Sequence, residues 1–277
     1  MQDHPSSSPN QSAAGTTIAW RCAVCGFVFK GEKPPKGCPV CHSPSYEFIV
    51  ENERQQLVYD GEPFDVLLIN GSTHRGGNTG YMADLAEALL NERGVSYRRF
   101  NLSEYHIDYC WCCYAIKAES CVFPCRNNSD DMPAFHRMLA TSKAVIVASP
   151  INWNGMSARL KTFLDRTTCM ENLYHLEKPG LTEGKVAGIL VNGHEDGAIK
   201  TAMDIWLNFQ QMGYVPAPFG IGFRTHGSEF NSRTDRDFFR NDALVIHQVR
   251  GVVNNVIETM RLGLEEKLKG KLVPVTE

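Results

Sequence analysis

Residues 65–79, Asp-Val-Leu-Leu-Ile-Asn-Gly-Ser-Thr-His-Arg-Gly-Gly-Asn-Thr, constrain the fold more than any other stretch of this chain. Positions 66–69 form an unbroken apolar run, which suits a central parallel strand covered on both faces rather than an edge strand of alternating polarity. A glycine and hydroxyl loop follows. Met82, Leu85, Ala86 and Leu89 then recur at helical spacing, with Asn78 or Thr79 placed to cap the helix start and Gly94 to end it in the left-handed conformation. A helix opening directly after such a loop presents unpaired backbone N–H groups and the positive end of its dipole. With Ser72, Arg75 and Thr79 beside it, chain order makes an anion site.

The alternation continues downstream. Further strands are predicted at 96–102, 144–148, 186–192 and 215–221, with helices between them. One helix runs from 130 to about 142, behind the acidic pair Asp130 and Asp131, which suits a helix start. Another buries Met156, Leu160, Phe163 and Leu164, and the last carries Val245, Val249, Val252, Val256 and Met260 on one stripe. Five strands alternating with helices predict an α/β fold with a doubly wound five-stranded parallel sheet, which binds ligands at the carboxyl ends of its strands. The loops at 71–79, 149–155 and 193–197 are the candidates. His194 lies on the third of these, and a polar loop holding Arg224, His226, Arg233 and Arg236 is expected before the last helix.

Two familiar phosphate loops are excluded. A P-loop needs Lys and then Ser or Thr after its last glycine, but Asn78 follows Gly77. A dinucleotide fingerprint needs Gly-x-Gly-x-x-Gly, but Ser72, Thr73 and His74 follow Gly71.

Ahead of the sheet the composition changes. Residues 1–17 are rich in Ser, Pro, Gln and Ala without periodicity and are expected to be a disordered tail. Residues 18–50 contain two Cys-x-x-Cys knuckles, Cys22 with Cys25 and Cys38 with Cys41, which together offer four thiolates to one metal ion. A unit this small cannot build a sufficient core and needs such a staple. Residues 51–64 read as a linker and 65–277 as the main domain. Tetrahedral sulfur ligation suits iron and zinc alike.

Cysteines concentrate a second time. Cys110, Cys112, Cys113, Cys121 and Cys125 crowd one loop of the main domain, more than packing requires. A cluster site, a redox thiol pair and buried small hydrophobes all agree with this.

Composition narrows the function classes. With 277 residues, 43% of them hydrophobic, there is material for one full domain and a small one. A net charge of -3 without a long basic run argues against nucleic acid as a partner. No apolar segment nears the ~20 residues of a membrane span, and the N-terminus lacks the order of a signal peptide. A soluble, cytoplasmic protein is expected, in which ten cysteines serve metal or redox roles.

From about residue 65 onward the chain resembles the flavodoxin-like NAD(P)H-dependent FMN reductases and iron-sulfur flavoproteins. Three features carry the likeness: Gly-Ser-x-x-Arg-x-Gly-Asn-Thr at 71–79, a Ser-Pro with an aromatic and a glycine at 149–155, and Lys161 followed by Asp165 and Arg166. The resemblance implies FMN, its phosphate held by Ser72, Arg75, Gly77, Asn78 and Thr79. Its ring would be wrapped by Ser149, Pro150, Ile151, Asn152, Trp153, Asn154 and Gly155. It also implies electrons from NAD(P)H or a reduced carrier protein, a redox-protein acceptor, no catalytic acid or base, and a homo-dimer or homo-tetramer.

The family's cluster motif, Cys-x-x-Cys-x-x-Cys with a later fourth Cys, puts Cys110, Cys113 and Cys121 in register. Ile116 occupies the third slot, where Cys112 or Cys125 would have to substitute if a 4Fe-4S cluster is bound. Residues 18–50 are similar to the rubredoxin-like module of rubrerythrins, sharing Gly26, Pro39, Trp20, Phe27 and Phe48. That likeness implies a one-electron iron site at Cys22, Cys25, Cys38 and Cys41. An FMN oxidoreductase and a non-catalytic flavodoxin-like electron carrier both agree with the whole.

Overall fold

The computed structural model describes residues 17–51, 56–194, 197–225 and 232–274, with the backbone alone for 232–236. Most of the predicted tail and positions 52–55, 195, 196 and 226 lie outside the described residues. The chain divides into two units, Met1–Arg54 and Gln55–Glu277.

In the small unit, β1 (Ile18–Cys22) pairs antiparallel with both β2 (Val28–Gly31) and β3 (Phe48–Val50). Among its described residues the buried core cluster is small, Cys22, Cys38 and Phe48, with Trp20, Val24, Phe27, Phe29 and Cys41 packed partly against it. Two of these three are predicted metal ligands, so little apolar burial remains to order the unit by itself.

The large unit comprises β4 (Val66–Asn70), α1 (Asn78–Glu92), β5 (Tyr97–Asn101), α2 (Met132–Thr141), β6 (Ala144–Pro150), α3 (Ala158–Asp165) and α4 (Thr168–Glu171). It continues with β7 (Val186–Gly193), α5 (Ala198–Gln211), β8 (Val215–Thr225), α6 (Ser232–Asn241), α7 (Ala243–Met260) and α8 (Leu264–Leu268). The five strands pair in parallel in the order β5-β4-β6-β7-β8. Every residue of β4 is buried, as its apolar run requires. Leu67, Ile69, Val145 and Val147 face a core closed by Phe135, Leu160, Phe163, Ile205 and Phe209 of α2, α3 and α5. Val66, Leu68 and Ile146 face the other core, closed by Met82, Ala86 and Leu90 of α1 and by the valines of α7. Strand pleating thus feeds two cores, and the sheet is covered on both sides.

Several expectations need correction. The N-cap of α1 is Gly77, not Asn78 or Thr79, and no side chain caps the helix. Met156 is half-buried and precedes α3, whose cap is Ser157. Residues 56–64 are not a free linker: the Leu57 N–H donates to Asp131 at 2.7 Å, and Tyr59 and Phe64 are buried in an edge-to-face pair. The polar loop predicted before the last helix is largely regular, because β8 extends to Thr225 and α6 begins at Ser232. Arg224 pairs with Asp242 at 2.6 Å, Arg233 and Arg236 belong to α6, and His226 is outside the described residues. Among the described residues, no helix is long and apolar enough to cross a membrane.

Candidate functional site

Strand register brings three loops to one edge. Asn70 lies opposite Ala148, and Pro150 opposite Asn192, so the loops after β4, β6 and β7 leave the sheet side by side at its carboxyl end. They are tied together there. Ser157 Oγ donates to Gly71 O at 2.6 Å, the Ile151 N–H donates to Asn192 O at 2.8 Å, and Thr79 Oγ1 donates to Asn192 Oδ1.

Asn70, fully buried at the end of β4, shapes the first loop. Its Oδ1 accepts the Ser72 N–H at 3.0 Å while its Nδ2 donates to Asn101 Oδ1 at 3.1 Å. The Ser72 hydroxyl accepts the His74 N–H at 3.0 Å, and Arg75 pairs with Glu104 at 2.9 Å. Side chains expected at a phosphate are therefore also used to hold the loop's shape. At Gly80 the loop crosses the first turn of α1 so closely that a Cβ would lie 1.8 Å from Arg75 O. Only glycine fits there. The uncapped helix start and this close approach form a backbone cradle suited to one phosphate.

The second loop stores strain. Asn152 and Gly155 exchange backbone hydrogen bonds at 2.8 and 3.1 Å around Trp153 and Asn154, whose φ angles are 49° and 61°. Two positive-φ residues make a primed two-residue turn, normally built from Asn and Gly, so a tryptophan there costs energy. Trp153 is 100% exposed. A strained turn that presents a bare aromatic at the sheet's ligand-binding edge has the character of a binding element.

The small unit carries the clearest metal geometry. The sulfurs of Cys22, Cys25, Cys38 and Cys41 all lie within 4.8 Å of one another. Cys22 to Cys41 is 3.7 Å and Cys25 to Cys38 is 3.5 Å. A tetrahedral ion with ~2.3 Å metal–sulfur bonds spaces its sulfurs by about 3.8 Å, so the set fits. The two knuckles are built alike. The Cys22 N–H reaches Phe27 O and the Cys38 N–H reaches Ser43 O, while Gly26 and His42 donate back to Cys22 O and Cys38 O. Both return residues have positive φ, 81° at Gly26 and 58° at His42. A hydrogen bond to Ser43 pulls the Cys41 thiol down to about 6, toward the thiolate that a metal requires.

The cysteine-rich loop follows β5 and so starts from the same sheet edge. Cys110, Cys113, Cys121 and Cys125 border one cavity of about 170 Å³, together with Cys169 from α4, which lies 44 residues beyond Cys125 and gives no local motif with it. Cys112 is exposed and does not line it, and Ile116 in the motif's third slot is 85% exposed. Among the described residues, only the small unit's cysteines lie close enough together for a single ion. The cavity's thiols are spread around a volume about ten times what one water needs. This donor set fits a multi-iron cluster better than a lone ion. A hydrogen bond from Cys169, with the Arg166 guanidinium beside it, draws Cys125 down to about 6, while its interaction with Cys125 and its burial push Cys169 up.

Larger hollows, of about 390, 380 and 300 Å³, lie elsewhere. The first is bordered by Asp65, Lys143, Gly184 and Val186 at the opposite end of the strands, where sheets of this kind do not bind their ligands.

Comparison with known proteins follows these two units. The family described as NADPH-dependent FMN reductase matches residues 64–226, and the rubredoxin-like domain of rubrerythrin matches residues 20–49. An iron-sulfur flavoprotein of Archaeoglobus fulgidus is 31% identical over 163 residues, which is 56% of this chain and 66% of that protein. The match thus spans just under two thirds of that relative's length. An iron-sulfur flavoprotein of Methanocaldococcus jannaschii is 30% identical over 146 residues, 50% of this chain and 69% of the relative. RosB, solved with bound 8-demethyl-8-formylriboflavin-5'-phosphate, superposes with a TM-score of 0.60 at 18% identity, covering 74% of this chain and 81% of its own. That last likeness shows the fold alone.

Proposed function

This chain belongs to the NADPH-dependent FMN reductase family, and from that premise we propose an FMN-dependent oxidoreductase. It takes electrons from NADH or NADPH and delivers them singly, through sulfur-bound iron, to a redox-protein acceptor. One observation carries this reading. A single chain combines flavodoxin-type loops with two thiol centres of different build, a tight tetrahedral set and a cysteine-lined cavity.

FMN, when bound, accepts an electron pair as hydride and releases electrons one at a time, which is chemistry the cofactor supplies. The protein's part is binding and orientation. The uncapped start of α1, with Ser72, Arg75, Gly77, Asn78 and Thr79, holds the phosphate. Ser149, Pro150, Ile151, Asn152, Trp153, Asn154 and Gly155 surround the ring. Cys22, Cys25, Cys38 and Cys41 hold one iron ion. Cys110, Cys113, Cys121 and Cys125 hold an iron-sulfur cluster, with Cys125 taking the place that Ile116 leaves open in the family's motif.

Deleting residues 1–54 tests the route. Flavin reduction by NADPH is expected to be spared, while delivery to a one-electron protein acceptor falls at least about tenfold, ~1.4 kcal/mol in the barrier. Equal delivery by the truncated chain would make the small unit a structural appendage. A chain that catalyses no steady anaerobic oxidation of NADH or NADPH would instead be an electron carrier.

A further inference from the structure

Arg166 is one of the largest fully buried side chains of the protein, and it borders the cysteine cavity. A guanidinium has five N–H donors, and four of them are engaged. Nη1 donates to Asp108 O at 2.9 Å and to Asp130 Oδ2, and Nη2 donates to Asn127 O and to Asp130 Oδ1 at 3.3 Å. Asp108 and Asn127 bracket the cysteine loop, so one side chain fastens both of its ends. Asp130 reinforces the clamp by accepting the Asp108 N–H at 2.8 Å.

The fifth donor is different. Arg166 Nε is buried with no hydrogen bond at normal distance, and the sulfur beside the guanidinium is that of Cys125. An orphaned donor on a buried cation is costly to leave unmade, and native proteins rarely do so without a ligand in view. A lone ion pair with Asp130 would explain the charge but not the spare N–H or its place on the wall of a thiol-lined cavity. The occupant must accept a hydrogen bond, and the guanidinium favours one that carries negative charge. An iron-sulfur cluster with four thiolate ligands does both.

We infer that Arg166 is a positioning residue of this cavity, whose Nε–H donates to a sulfur of the cluster held by Cys110, Cys113, Cys121 and Cys125. This rests on the reading of the cavity as a cluster site. A cation and a hydrogen bond at the sulfurs favour the reduced, more negative form, so Arg166 raises the cluster's potential. It makes the cluster a better acceptor of electrons.

The test uses the full chain. Acid-labile sulfide is measured first, because the small unit's single iron contributes none; its absence would remove the cluster reading itself. With sulfide present, the chain is labelled with ¹⁵N-arginine, Arg126→Ala is introduced because exposed Arg126 also borders the cavity, and the reduced cluster is examined by pulsed EPR. An arginine-nitrogen coupling is expected, and it should vanish in Arg126→Ala/Arg166→Lys. In Arg166→Lys the reduced-to-oxidised ratio at fixed ambient potential should fall about tenfold, ~59 mV for a one-electron couple. Arg166→Gln with Asp130→Asn, which strands no buried charge, should shift it in the same direction. Sulfide present without any arginine-nitrogen coupling would overturn the inference even if every Arg166 variant failed to assemble its cluster. An unchanged potential in variants that do assemble would overturn it as well.

Discussion

Gly80→Ala is expected to release FMN. A Cβ at this position would sit 1.8 Å from Arg75 O, and real side chains do not approach backbone this closely, so either the loop or the first turn of α1 must move by more than an ångström. The cradle is made of backbone, so it has no side chain that could swing away to absorb the shift. FMN affinity should fall at least about a hundredfold, ~2.8 kcal/mol, measured by fluorescence titration of the flavin-free protein. Gly251→Ala is the control, because nothing lies within 4 Å of a Cβ there and helix α7 favours alanine. It should bind FMN normally. Wild-type affinity in Gly80→Ala would move the phosphate away from this loop, and FAD in the purified protein would remove the assignment altogether.

Stripping the metal is expected to unfold the small unit and leave the large one intact. Among its described residues the small unit's buried apolar cluster is no more than Cys22, Cys38 and Phe48, and for sites of this kind metal binding contributes about 10 kcal/mol or more of folding free energy. A fragment of residues 18–52 should lose its amide dispersion on chelation, and Cys22→Ser/Cys38→Ser should never gain it. Iron in the loaded fragment gives a red ferric form that dithionite bleaches, whereas zinc gives none. A fragment that keeps its fold without metal would contradict the staple argument. Colourless, zinc-loaded protein from iron-rich medium would reduce the unit to a structural or docking role.

What the sequence made legible follows from how each signal arises. Apolar runs at 66–69 and 144–148 mark strands buried on both faces, and both occupy the middle of the sheet. The end of β8 and helix α6 escaped prediction because most of their residues are polar, and Phe223, Phe238 and Phe239 are too few to make an apolar stripe. Docking of residues 56–64 was hidden because the apolar run 57–59 is too short to show a period and Phe64 stands apart from it, behind polar residues, Gly61 and Pro63. The knuckles were plain from spacing alone, yet the left-handed His42 could be found only by noticing that it stands where Gly26 does in the first knuckle.

The cysteine cavity was half legible. Cys110, Cys113, Cys121 and Cys125 share one loop, but Cys169 and Arg166 reach the cavity from α4 and the end of α3, and no local pattern announces that. Lys161, Asp165 and Arg166 carry one sequence pattern and read as structural charges, and in the fold they serve apart. Lys161 pairs with Asp165 on the surface, whereas Arg166 and Asp130 form a pair with no exposed side-chain surface. Gly80 gave one available hint, a glycine inside a helical pattern, which usually has a packing or functional reason.

The most direct measurement is anaerobic rapid mixing of the full chain, loaded with FMN and iron, against NADH and NADPH while both chromophores are followed. The flavin absorbance should bleach first and the ferric absorbance of the small unit should follow it, at a rate that does not depend on nucleotide concentration once the flavin is reduced. A ferric signal that persists beside fully reduced flavin, or a flavin that neither nucleotide reduces, would contradict electron entry at FMN and exit through sulfur-bound iron.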